Sequence, residues 1–193
     1  MLVVALLGTL GFAVASAASE QPTAVHHYAA FKAGRIAPGL TVKDTVRGEC
    51  WTESSHLHQR RFAWRCSSRK GIWTYIYDPC LALTPRSSFV VCPERPWRKR
   101  VTIMRMTEPL PTWKRYKSRR YVPWGIWTTA GKRCYSLSHW QSEIAGRRVT
   151  HYCDGGGVLT GFADRRHPTW KIYYGASLRS KRVTLVGISD AWW

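Results

Sequence analysis

Six cysteines, Cys50, Cys66, Cys80, Cys92, Cys134 and Cys153, constrain this chain more than any other feature. An even count in a chain that opens on an apolar leader reads as three disulfides, because exported proteins fold where thiols oxidise. Six cysteines allow fifteen pairings, and the spacing alone does not choose among them. Sequential pairing is the expectation: Cys50–Cys66, Cys80–Cys92 and Cys134–Cys153, each closing a short loop. Zinc is the competing reading. It is disfavoured because there is no CxxC pair, and His56-x-His58 stands apart from any matching thiol spacing.

The leader runs from Leu2 to Val14 without a charge and ends in Ala15-Ser16-Ala17. A small-x-small ending fits a signal peptidase, so residues 1–17 read as a signal peptide cleaved after Ala17. The stretch is short for a bilayer span, which needs about 20 apolar residues. Its lack of an N-terminal Lys or Arg is atypical, and a retained N-terminal anchor is the alternative. No later segment is apolar enough to span, and no metal or cofactor motif is present. The Gly155-Gly156-Gly157 run is not a phosphate loop, since no Lys-Ser/Thr follows it.

The leader carries none of the charge, so the remainder keeps the whole net charge of +19. A hydrophobic content of 45% is nevertheless enough for one domain with a real core. Phe62-x-Trp64-x-Cys66, Trp73-x-Tyr75-x-Tyr77, Val149-x-His151-x-Cys153 and Trp170-x-Ile172-x-Tyr174 alternate with the period of two that gives a strand one buried face. Gly and Pro punctuate these runs. The expected class is therefore all-β, a disulfide-stapled sandwich or partly closed barrel over residues 38–193. Residues 18–37 read as a flexible N-terminal arm, and Leu137 to Ala145 is the one stretch that passes for a short helix.

Aligned on itself, the chain suggests a tandem pseudo-repeat with halves at about 38–111 and 120–193. Cys50-Trp51, Arg60-Arg61 and Trp64-x-Cys66 have counterparts in Cys134-Tyr135, Arg147-Arg148 and Tyr152-Cys153, and Val101-Thr102 has one in Val183-Thr184. Cys80 and Cys92 are then an extra staple in the first half.

The order Gly48-x-Cys50-Trp51, Arg61-x-x-Trp64-Arg65-Cys66, Asp78-Pro79-Cys80, Val91-Cys92-Pro93, Pro123-Trp124, Cys134, Tyr152-Cys153 and Ala191-Trp192 resembles a group of small secreted actinobacterial proteins of unknown function. The resemblance covers nearly all of the chain after the leader. It implies export and fold, and it carries no catalytic residue across.

Charge is concentrated between Arg95 and Arg120, where ten Lys and Arg face Glu108 alone. Arg98, Lys99, Arg100, Lys114, Arg115, Lys117, Arg119 and Arg120, with Trp113 and Tyr116 as stacking partners, form the expected polyanion-binding set. The competing reading is a solvated basic surface that keeps a Trp-rich protein in solution. Among the tryptophans, Trp51, Trp64 and Trp170 are expected to be packing anchors. Trp124, Trp127, Trp192 and Trp193 are expected to be the more exposed.

A catalytic set is weaker. His139, His151 and His167 with Lys132 or Arg148 can be assembled on paper, but His151 alternates in register with Val149 and Cys153 and reads as a core residue. The expected function is non-catalytic binding of anionic polymers at the cell envelope or outside the cell, nucleic acid only extracellularly. The alternatives are a secreted nuclease-like hydrolase of an anionic polymer, and an interaction protein or toxin directed at a protein or a membrane.

Overall fold

The structure, a computed structural model, describes residues 21–57, 60–113, 122–136 and 142–193. The leader, His58, His139 and residues 114–121 lie outside the described residues. Among the described residues there is no helix, and the strands close into two barrels.

Three short strands precede the barrels: β1 (Ala24–His26), β2 (Phe31–Lys32) and β3 (Arg35–Ile36). The first barrel is a meander of β4 (Thr41–Glu53), β5 (Ala63–Lys70), β6 (Trp73–Leu81), β7 (Phe89–Pro93) and β8 (Arg100–Met106). The second contains β9 (Gly125–Thr128), β10 (Arg133–Ser136), then the two-residue β11 (Glu143–Ile144), which pairs with β12 (Arg147–Cys153), followed by β13 (Val158–Asp164), β14 (Lys171–Gly175) and β15 (Thr184–Trp192). Strand number fixes how each closes. Five alternating strands leave the first and last pointing the same way, and β4 pairs parallel with β8. Six leave them opposed, and β9 pairs antiparallel with β15.

The two halves solve the same problem differently at their first strand. The first part of β4 pairs with β8, from Thr41↔Arg100 to Gly48↔Met106, and its last part pairs with β5, from Gly48↔Ser68 to Glu53↔Trp64. In the second barrel those tasks are split between β9, which pairs with β15, and β10, which pairs with β12. A turn over Thr128–Lys132 divides them, held by Gly131 N–H to Thr128 O and Thr128 N–H to Lys132 O, each 2.9 Å. Where β4 changes partner it must pass close to its neighbours. A Cβ at Gly48 would run into the Ser67 carbonyl oxygen and the Met104 Sδ, so only glycine fits that corner.

The disulfides pair sequential cysteines, the expected one of the fifteen pairings. Cys50 lies directly opposite Cys66 and Cys134 directly opposite Cys153, while Cys80 and Cys92 flank the Leu81↔Val91 pair. Their Cα atoms are 3.9 to 4.1 Å apart. Each bond therefore pins the register of neighbouring strands, whose slippage by one residue would turn every side chain to the wrong face. Trp64, Val90 and Met104 pack around the first two disulfides, and Ile126, Leu159, Ile172 and Ile188 around the third.

The barrels meet along an aromatic seam. Trp97, from the β7–β8 connection, stands 6.2 Å from Trp127 and 5.7 Å from Trp192, which are themselves 5.2 Å apart between ring centroids. A Cβ at Gly125 would collide with Pro96 and Trp97, so its absence lets the first barrel approach the second. A small apolar core bridges the seam, with Leu57, Val91 and Val101 from one barrel and Trp124 from the other, closed by Tyr28 and Ala30.

Several expectations need correction. Most of the stretch read as a flexible arm is built into the fold: β1 pairs parallel with β15, Thr23 donates to the Ile188 carbonyl at 2.6 Å, and β2 and β3 form a hairpin. The strand edge of β15 and the seam both need covering, and this segment covers them. Trp124 and Trp192 are buried rather than exposed, because the seam encloses them. Trp51, taken as a packing anchor, is exposed with Arg65 over its ring, since alternation names a face without saying that anything covers it. Trp73 and Tyr75 are exposed for the same reason. Residues 143–144 of the expected helix form β11, and residues 137–141 lie outside the described residues.

Replacing Cys134 and Cys153 by Ser removes a link spanning 19 residues. Chain entropy puts the cost at about 3 kcal/mol, to be read as a lowered urea midpoint against the oxidised protein.

Candidate ligand cleft between the barrels

The seam opens at one end into a cleft of about 630 Å³ lined by Val25, His27, Tyr28, Ala29, His56, Leu57, Arg60, Arg165, Trp170 and Trp193. Three parts of the chain supply it. The covering segment after β1 gives His27 and Tyr28, the β4–β5 connection gives His56 and Arg60, and barrel two gives Arg165, Trp170 and Trp193. Clefts where domains meet are ordinary places for ligands, and this one is of ligand size.

The charged side chains that line it are Arg60 and Arg165, with no carboxylate side chain among the residues around it. Arg60 is half-buried and donates from Nη1 to the Tyr28 carbonyl. Burial lowers its pKa from the ordinary value, yet a guanidinium remains charged at any physiological pH. Arg165 lies 4.5 Å from the Trp170 ring centroid and 4.7 Å from that of Trp193, so two indoles hold its planar head. Tyr28 is 8% exposed, and its hydroxyl has no hydrogen-bond partner among the described residues. Burial pushes the phenol up to about 12, against the opposing pull of Arg60, so it stays a neutral donor. Two guanidiniums, one of them held between indoles, suit a ligand that carries an anionic group.

Behind the cleft, buried polar groups tie the barrels together. His56 Nδ1 shares a hydrogen bond with the Ser136 hydroxyl across the seam, and His56 Nε2 lies 4.0 Å from Asp78 Oδ2. Serine, histidine and aspartate in a row invite a catalytic reading. However, Ser136 is 3% exposed, and Asp78 accepts from the Ser54 and Ser55 hydroxyls at 2.5 Å and from the Ser55 N–H at 3.0 Å. With the serine shut away from the surface, the arrangement serves as an interbarrel lock.

The cationic residues expected to bind polyanions are placed elsewhere. Arg98, Lys99 and Arg100 are exposed near the start of β8, and none lines the cleft. Glu94 sits among them, 2.7 Å from Lys43 Nζ and 3.5 Å from Arg98 Nη1. The Lys43 hydrogen bond, aided by the charges of Lys43 and Arg100, holds that carboxyl below the usual range. Lys114, Arg115, Tyr116, Lys117, Arg119 and Arg120 lie outside the described residues. Trp113 is half-buried and packs against the cluster around Cys50, Trp64 and Cys66, which takes up a ring that was expected to stack on a ligand. Sequence reasoning passed over Tyr28, Arg60 and Arg165. The available signal was the doublets Arg60-Arg61 and Arg165-Arg166, each followed closely by an aromatic residue.

His151 is fully buried, as its alternation with Val149 and Cys153 led one to expect. Its Nε2 donates to the Pro123 carbonyl at 2.8 Å, and its Nδ1 faces the Thr150 hydroxyl at 3.0 Å. Burial lowers its pKa to about 4, the Pro123 bond opposing and the nearby His56 assisting. Among the described residues no group of three or more His, Cys, Asp or Glu is placed to hold a metal.

The folded pKa of His151 lies below the ordinary 6.5, so between the two values the unfolded chain binds more protons. Stability should be complete above about 6.5 and fall by a few kcal/mol as the pH drops towards about 4. His151→Gln should flatten that dependence in denaturation curves across the same window while costing stability at neutral pH. No protein-family model, curated protein or solved structure matches this chain, so its cleft stands on its own geometry.

Proposed function

We propose that the chain is an exported, non-catalytic binding protein for anionic polymers of the cell envelope or its surroundings, whose acidic groups enter the cleft between the barrels. The observation that carries this reading is a cleft with no carboxylate side chain, bearing Arg60 and Arg165, in a protein whose Lys and Arg exceed Asp and Glu by nineteen. One-to-one pairing cannot neutralise such an excess, so mobile counterions must. A polyanion that displaces them gains their release entropy, whatever its sequence. The cleft adds recognition, with Arg60 and Arg165 on the anionic group and the faces of Trp170 and Trp193 beside it.

Three disulfides are compatible with an oxidising compartment. With the apolar leader they support export, and wall polymers, acidic glycans and extracellular DNA are the polyanions met there. Kinship with small secreted actinobacterial proteins is part of the same proposal. Hydrolysis of such a polymer is the weaker reading, since the buried Ser136 and His151 have no path to a substrate.

Co-sedimentation of the oxidised protein with isolated cell walls, intact or stripped of anionic polymer, tests the proposal across a salt series. Binding should require the polymer and fall steeply with salt. It should weaken about tenfold with Arg165→Ala, the scale of one lost charge-assisted contact. A quadruple change of Arg115, Lys117, Arg119 and Arg120 to Ser should chiefly reduce the salt slope. Binding that ignores salt and Arg165→Ala would overturn the reading.

A further inference from the structure

A second surface, remote in sequence from the cleft except for their shared β4–β5 half, has the opposite character. Strand β5 pairs with β4 only as far as Gly48↔Ser68, and β6 meets β7 only at Leu81↔Val91. Beyond those points the arms pair with each other alone, through Arg69↔Thr74 and Lys70↔Trp73. Residues 69–76 thus form a two-stranded ribbon standing out from the barrel, and all eight are exposed. Ribbons of this kind gain little stability in water by themselves.

Gly71 suits a tight turn, but the residues after it are unusually apolar for an exposed one. Two-residue hairpin turns favour Asn, Asp, Gly and Ser. Here Gly71, at φ 62°, is followed by Ile72, which is 91% exposed. Trp73 is 67% exposed, Ile76 52% and Tyr75 48%. About half or more of each of these four side chains is left in solvent, and apolar exposure concentrated on so short a segment marks a contact surface.

The charges say what it contacts. From Ser54 to Tyr77 there is no Asp or Glu, whereas Arg69 and Lys70 stand immediately behind the apex. Trp and Tyr with Lys and Arg flanking aliphatic residues is the composition that settles at the boundary between acyl chains and headgroups. The ladder rises about 3.3 Å per residue. Immersing the apex by roughly 5 Å therefore places Ile72 deepest, Trp73 and its register partner Lys70 one step back at the boundary, and Arg69 a further step back at headgroup level, where each cation gains on an anionic surface.

We propose that the β5–β6 ribbon is a membrane-contact element, inserting Ile72 and Trp73 into the interface of an anionic lipid bilayer while Arg69 and Lys70 hold its headgroups. The element acts independently of the polymer cleft. It gives the protein a docked orientation, with the ribbon in lipid and the rest of the molecule in water.

Sedimentation of the oxidised protein with vesicles of phosphatidylglycerol mixed with phosphatidylcholine, and of phosphatidylcholine alone, tests this. The wild type should partition to the anionic vesicles, and vesicles with brominated acyl chains should quench part of its tryptophan emission. Ile72→Ser with Trp73→Ser should weaken partitioning about tenfold or more. The pair is exposed, so the fold and the salt-sensitive binding of soluble anionic polymer should persist. Arg69→Ser with Lys70→Ser should remove the preference for the anionic vesicles. Three results would each overturn the inference: no partitioning by the wild type, equal partitioning by the Ile72/Trp73 variant, or self-association through the ribbon without vesicle binding. Loss of polymer binding with vesicle binding intact would instead count against the cleft alone.

Discussion

The packing of Trp97 against Trp127 and Trp192 is the contact on which the rest of the architecture depends. Each barrel is closed by its own hydrogen bonds and stapled by its own disulfides, so each is complete without the other. What makes one molecule of them is the seam, and the seam is made of large flat rings that bury much area with few freedoms to lose. Gly125 allows the approach, and the segment from Thr23 to Ala37 lies across both barrels and fixes it. The cleft is the open end of that seam. Its walls come from both sides, so it exists only while the barrels stay clasped.

Beneath the cleft the seam is polar, which makes its geometry specific. His56 reaches across to Ser136, Asp78 is satisfied by Ser54 and Ser55, and His151 is committed to Pro123. Buried polar groups are costly unless each finds a partner, so a sliding of the barrels would break the His56–Ser136 bond at that cost. The same economy bears on function. Side chains that look catalytic in a row are already occupied by one another, whereas Arg60 and Arg165 line an opening. A protein with this much uncompensated charge meets polyanions over its whole surface, and the cleft is where such contact gains shape.

Much of the fold was legible in the residues. Cys50 and Cys66, and Cys134 and Cys153, face each other because β-strands joined by short loops pair as neighbours, which is also why sequential pairing was the natural expectation. Alternation in Val149-x-His151-x-Cys153 placed His151 in the core correctly. The same rule applied to Trp73-x-Tyr75-x-Tyr77 named a strand and misjudged its surroundings, because β6 outruns its partner β7 and its face is left uncovered. Trp124 and Trp192 erred in the opposite direction: they flank glycine or end a strand, and a second barrel covers them.

By itself the sequence determined what is local: which stretches are strands, that the cysteines are even in number, and that the molecule carries a large positive charge. Those properties follow from period, spacing and composition, and they hold whatever the neighbours are. Only the tertiary structure decided which faces meet. It brought Tyr28, Arg60 and Arg165 into one cleft and left Ile72 and Trp73 in the open, because barrel closure and the register of β4, β9 and β15 set distances between residues that no local pattern encodes.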